Sequence, residues 1–336
     1  MKYGKKLIGN WFMSPEFTYL NHGSFGAAAR CVLDKAIEIE RKIESHTMGF
    51  FMEEYPNILQ ESKQQIADFV NVPNEDLVFV ENATTGVATV LRSLMFDLRA
   101  GDKILVTNHI YTGVDNTLDY LCKKFEVELV RVDIPFPIRS KEEIISAVKK
   151  EITSGIKIAV FDHITSATGL IFPIKELCEQ CRENGVISLI DGAHAPGMLD
   201  LDISSFGCDF FVGNCHKWLY TQKGCAILYV SKSMQEKIHP LTISNFYGQG
   251  FQMEFAWTAT KNVVPWLTVP TALEFYKSLG DSELRQHNHN LVLAGGELIY
   301  KTLNTMPTAP NEMIGTILTC DLPEKFNKVN PDTFSL

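Results

Sequence analysis

The chain has no apolar run near the roughly 20 residues that a membrane-crossing helix requires. It also has no cluster of lysines and arginines. With a formal net charge of -9 and a pI near 5.5 it lacks the basic face that a phosphate backbone demands, so nucleic acid is excluded as a partner. Its 8 cysteines show no framework spacing. The pair Cys178 and Cys181, two residues apart, has no second pair with which to complete a zinc site, so the cysteines read as reduced thiols and no metal is expected. The first residues, MKYGKKLIGNWF, lack the apolar centre of a secretory signal, and the expected location is the cytoplasm. A GxxxxGK[ST] phosphate loop is absent too.

What remains is an ordinary globular composition, 45% hydrophobic and 21% charged over 336 residues, enough for one large or two modest domains. Strand-like and helix-like segments alternate from KILVT (103–107) through VELVRV (127–132), IKIAVFDHI (156–164) and VISLI (186–190). Helical patterns lie between them at about 113–124, 140–152 and 173–184. Such alternation predicts an α/β fold, a mostly parallel sheet with helices on both faces. Helical patterns are also expected at 31–47, 57–70, in one long stretch from Val264, and at 282–304. A strand is expected at 315–320, and residues 1–18 read as irregular.

The stretch from Val186 to Val230 organises the rest. Asp191 leaves the end of one buried strand, and His216 and Lys217 leave the end of another, DFFVG. Open α/β sheets bind ligands in the crevice beyond such strand ends. An acid and a lysine facing each other there suit pyridoxal phosphate, whose carbonyl carbon forms an imine with a lysine amine and whose pyridine nitrogen is kept protonated by a carboxylate. Taken singly, most lysines are solvated and most Asp-Gly pairs are turns. Lys217, though, sits between an apolar strand and Trp218-Leu219, a poor setting for a lysine with nothing to bind. A second strand, LVFV (77–80), runs into Glu81-Asn82-Ala83-Thr84-Thr85-Gly86 and a helix. Free amides at a helix start form an anion site, so Ala83, Thr84 and Thr85 are candidates for the phosphate, against the plain alternative that a threonine merely caps the helix. At the end of KILVT, Tyr111 is the first candidate to stack on the pyridine ring and His109 the second. His194 stands three residues past Asp191, in reach of the ring hydroxyl or the imine, or else simply holding its loop. Asn214 is a further donor for phosphate.

These segments resemble the class V aminotransferase group of fold-type I pyridoxal-phosphate enzymes, and within it the isopenicillin N epimerase-like and cysteine desulfhydrase-like branch. The likeness rests on YLNHGSFG (19–26), ENATTGV (81–87), TNHIYTGV (107–114), DGAHAPG (191–197), HKWL (216–219) and WTATKN (257–262). It implies Lys217, Asp191 and His194 as the catalytic set and His216 on the phosphate side. Asn21 and His22 fall at the substrate mouth. The likeness further implies a homodimer in which the Thr258–Thr260 segment, Thr260 above all, reaches the neighbouring site, although Ala259 replaces a usual glycine. The domains implied are an arm (1–27), a large cofactor domain (28–264) and a linker helix with a partial small domain (265–336). The expected activity is a C–S lyase or desulfhydrase reaction on a small sulfur amino acid, with epimerisation or transamination as alternatives. A catalytically weak cofactor-binding partner subunit is a further one. Beyond Arg285 the sequence offers only Lys301, Lys325 and Lys328 for the substrate carboxylate, and no arginine. The expectation is therefore poor handling of free amino acids unless a partner chain supplies that site.

Overall fold

Seven strands form one sheet: β1 (Leu77–Val80), β2 (Lys103–Thr107), β3 (Glu128–Val132), β4 (Ile156–Asp162), β5 (Ile187–Asp191), β6 (Phe210–Asn214) and β7 (Ala226–Val230). The structure is a computed structural model describing residues 2–323. Strand order is β1-β7-β6-β5-β4-β2-β3. The neighbours from β3 to β6 run parallel, and α-helices lie in the connections from β2 to β3, β3 to β4 and β4 to β5, while β5 to β6 has only a short 3₁₀ turn, Ile203–Phe206. β7 is antiparallel to both β6 and β1. Only residues 215–225 link β6 to β7, too short for the dozen or more residues a parallel return needs.

The sheet separates two apolar layers, and strand alternation assigns side chains to each. Val160 of β4, Leu189 of β5 and Val212 of β6 pack with α3 (Ala83–Leu94) and α4 (Thr112–Phe125). Phe161, Ile190 and Phe211 face the opposite layer. That layer is built from α1 (Arg30–Ser45), α2 (Tyr55–Phe69), α5 (Lys141–Glu151), α6 (Ile174–Glu183) and α7 (Val269–Ser278). A strand buried on both faces cannot alternate with polar residues, which is why β4 to β6 read as near-continuous apolar runs. A polar residue closing such a run is thereby singled out.

Three expectations need correction. Residues 1–18 are not wholly irregular, since Lys5–Asn10 form a 3₁₀ helix. The long helix expected from Val264 is two, Val264–Leu267 and α7. Pro265 and Pro270 each sit in the first turn of their own helix, where the missing N–H costs nothing, and neither is tolerated deep inside one. Residues 315–320 form no strand: one bridge joins Leu170 to Ile314, and no ladder follows among the described residues. A further long helix, α8, spans Ser282–Leu303. The expected small domain (265–336), with Lys325 and Lys328, extends outside the described residues.

Candidate active site

Beyond the carboxyl ends of β4, β5 and β6 lies a crevice of about 180 Å³, lined in part by Ala83, Thr84, Tyr111, Asp191, His194, Asn214, His216 and Lys217. These eight, all named from the sequence, come from four separate segments and line one crevice.

Lys217 owes its position to a braced loop. As the chain leaves β6, the amides of Cys215 and His216 both donate to the Cys225 carbonyl, at 3.1 and 3.2 Å. The His216 ring nitrogen Nδ1 donates to the same oxygen at 2.9 Å. From the other end of the chain, His22 Nε2 donates to the Lys217 carbonyl at 2.9 Å. Beside it Gly26, at φ +48°, lies so close that a Cβ there would sit 2.0 Å from the His216 carbonyl oxygen. Only a glycine permits that approach. His22 thus holds the lysine's backbone, and neither it nor Asn21 is among the residues lining the crevice.

The Lys217 amine lies 3.1 Å from His194 Nε2. Burial pushes the amine down to about 8, with the Asp191 charge opposing. Burial, followed by the Lys217 charge, pushes His194 down to about 3. At neutral pH His194 is therefore an uncharged imidazole that accepts a hydrogen bond from the lysine amine at Nε2 and carries its own hydrogen on Nδ1. That buried Nδ1 has no partner.

Asp191 closes β5, is 4% exposed, and accepts the Ala193 amide at 3.0 Å. Burial raises its carboxyl, while the Ala193 amide and the Lys217 charge pull it back. The following Gly192 is no mere turn residue: a Cβ there would meet the Phe211 ring at 2.1 Å.

At the start of α3 the arrangement differs from expectation. Asn82, not a threonine, caps the helix, its side chain accepting the Thr85 amide at 2.8 Å. The Asn214 side-chain oxygen accepts the Ala83 amide at 2.8 Å. Two of the amides expected for an anion are thus already engaged. Thr84 stays in the first turn, where the helix itself offers its amide no acceptor, and it lines the crevice while Thr85 does not. Asn214 serves to pin this loop to the end of β6.

Tyr111 stands at the mouth, 43% exposed. His109 is elsewhere. It is buried, with Nδ1 bonded to Thr168 at 2.7 Å and Nε2 to the Ile134 carbonyl at 3.1 Å, so it is withdrawn from stacking. Thr260 is exposed and outside the crevice. Its neighbour Lys261 is bonded to Glu81 at 2.8 Å, which sets the Thr258–Thr260 segment beside the anion loop. His216 is pushed down to about 4, chiefly by burial. It is a neutral ring whose free Nε2 accepts until an anion nearby raises it. Among the crevice residues that escape the sequence reading as site residues are Asp162, Asn82, Ser24 and Phe25. Asp162 could have been found, because it ends an apolar strand just as Asp191 does. A larger apolar cavity of about 600 Å³, lined by Phe51, Tyr55, Phe79, Trp257 and Trp266 among others, shares none of the crevice residues.

Residues 21–320 match the family model described as Aminotransferase class-V. The chain is 30% identical over 327 residues to a probable chloroplastic L-cysteine desulfhydrase of Arabidopsis thaliana, covering 92% of this chain and 69% of the relative. It is 29% identical to an isopenicillin N epimerase of Streptomyces clavuligerus, covering 94% and 83%. An apo cysteine desulfurase from Thermococcus onnurineus NA1 superposes with a TM-score of 0.79 at 18% identity, covering 96% and 83%, which speaks to the fold.

Proposed function

Since the chain belongs to the aminotransferase class-V family, a family of enzymes dependent on pyridoxal phosphate, we propose that it holds this cofactor on Lys217 and cleaves the C–S bond of a small sulfur amino acid. The observation that carries the reading is the buried Lys217 amine, 3.1 Å from an uncharged His194, in a crevice closed by Asp191. The residues present suit the group. An amine pushed down to about 8 is a nucleophile near neutrality. The partnerless His194 Nδ1 and Asp162 Oδ2 are buried polar atoms awaiting a polar ligand. Thr84 and His216 stand on the side where a phosphate would lie.

When bound, pyridoxal phosphate supplies an electron sink. The chain supplies the rest. Asp191 holds a proton at the ring nitrogen. His194 accepts the Lys217 N–H and so aims the amine. Lys217 takes the proton from Cα of the substrate, and the electron pair left there expels sulfur from Cβ, so one C–H and one C–S bond break and the thiol leaves with a proton. For cysteine the products after hydrolysis are sulfide, pyruvate and ammonia. Epimerisation would instead return a proton to Cα from the opposite face, and a panel of amino acids assayed for sulfide, for keto acid and for the D-isomer separates the outcomes.

Two measurements test the assignment of Lys217. Borohydride reduction of the cofactor-loaded protein followed by peptide mapping is expected to mark Lys217; a label on Lys223 or Lys232 instead would sink the proposal. The rate at which the cofactor-free protein captures pyridoxal phosphate is expected to climb about tenfold per pH unit, since only the unprotonated amine attacks, and to level off above about pH 8. An ordinary lysine would go on climbing toward 10.5.

The same reading takes the chain as a homodimer, supported by the Thr258–Thr260 segment, whose Ala259 and Thr260 are exposed, held beside the anion loop but outside its own crevice. Light scattering on the eluting protein would contradict it by giving the mass of one chain. A cytoplasmic location is in keeping with eight free thiols. Among the described residues no helix is long and apolar enough to cross a membrane.

A further inference from the structure

Two carboxyls stand side by side at the end of the sheet. Asp162 closes β4, Asp191 closes β5, and the parallel register pairs them directly. Partners in adjacent strands project to the same face, here the side of Val160 and Leu189, and both line the crevice. Asp162 is 3% exposed and Asp191 4%. Two carboxylates so placed and so dry do not both ionise.

Their surroundings decide which keeps the charge. Asp191 has the Ala193 amide at 3.0 Å and faces the positive Lys217. Asp162 has the backbone amides of Tyr111 and of its own residue, no cation, and faces the Asp191 charge. Its Oδ2, fully buried, has no partner at all, which for a charged oxygen would be a severe cost and for an O–H aimed into a ligand crevice is none until the ligand comes. The other titratable groups around the pair do not supply a cation to Asp162. His194 and His216 across the crevice are uncharged. His163, next in the chain, turns its ring against Phe206 and Phe211, and the Tyr111 phenol lies out at the mouth.

We propose that Asp162 is a positioning residue held as an uncharged carboxylic acid, the second proton store of the crevice, leaving Asp191 with the pair's single negative charge. Asp162 then presents an O–H donor to whatever acceptor enters and fixes the charge opposite Lys217 at one across the working pH range. The proposal deepens the pyridoxal-phosphate reading by stating which acid faces the ring charged and which does not. It is tested without the cofactor, so that either idea can fail alone.

The experiment is infrared spectroscopy of the purified full chain, free of pyridoxal phosphate, at neutral pH in light and heavy water. The wild type is expected to show the carbonyl stretch of a protonated carboxylic acid, shifting in heavy water. Asp162→Asn, which keeps shape and an N–H donor, is expected to lose that band. In Asp191→Asn the band is expected to persist and to titrate away at lower pH than in the wild type, because the neighbouring charge that keeps Asp162 protonated is gone. Absence of the band in the wild type overturns the proposal, and this needs no variant to fold. So does its survival in Asp162→Asn.

Discussion

Lys217→Ala is expected to abolish cofactor capture on borohydride reduction and to lower turnover by on the order of 10²–10⁴-fold through the lost proton transfer alone. Two roles vanish together, the nucleophile that fixes the cofactor and the base that takes the Cα proton. Lys217→Arg should be as inactive, since a guanidinium keeps the charge but neither attacks a carbonyl nor gives up its proton near neutrality. The pair of variants therefore separates charge from reactivity. Removing the Lys217 charge also relieves His194, whose imidazole that charge helps push down. Its titration, followed by nuclear magnetic resonance, should move up in the alanine variant and not in the arginine one. Turnover within tenfold of wild type in Lys217→Ala would place the chemistry elsewhere.

Asp191→Asn is the second large effect. Asparagine keeps the oxygen that accepts the Ala193 amide, so the loop after β5 is expected to stand, as an unchanged denaturation curve would verify. What disappears is the buried negative charge that, on the proposed reading, would face the pyridine nitrogen, a loss comparable to deleting one preorganised electrostatic group, about 10²–10³-fold in turnover. A second readout follows from the sign of the Asp191–Lys217 interaction. The carboxylate supports the protonated amine, so without it the amine gives up its proton more readily. The pH at which cofactor capture levels off should then fall below the wild-type value of about 8. Near-normal turnover together with an unmoved capture profile would assign Asp191 a merely structural part.

How far the site could be read in the sequence depends on what each residue interrupts. Lys217 and Asp191 stand out because they end runs that are buried on both faces, where any polar residue needs a reason. Asp162 ends IKIAVFD in the same fashion, but no glycine or lysine beside it points to a cofactor, and the His163 that follows turns its ring against Phe206 and Phe211. Asn82 stands beside two threonines that compete for the cap in the sequence, although asparagine is the stronger helix cap. His109 and Tyr111 lie two residues apart at one strand end, and local sequence does not tell which faces the crevice. The choice is made by Thr168 and the Ile134 carbonyl, contacts 59 and 25 residues away. Strand direction was hidden for a similar reason. The hydrophobicity of CAILYV is the same run forward or backward, and only the shortness of 215–225 tells that β7 returns antiparallel. The long pattern after Val264 failed on its prolines, which mark two starts and no interior.

The brace that His22 and Gly26 apply to the 216–217 backbone joins points 195 residues apart in the chain. Contacts of such separation close late, because the entropy of a long loop must be overcome before they give anything back. During synthesis the segment carrying Lys217 must leave the ribosome before its counterpart near the N-terminus has anything to hold, so a reactive amine is set in place only when most of the sheet already exists. A nick or deletion within residues 20–26 would then leave the sheet and its acid pair largely built while freeing the lysine loop. Loss of activity by limited proteolysis at that end should run ahead of loss of fold, the protein losing its chemistry as a lock loses its bolt while the door still stands.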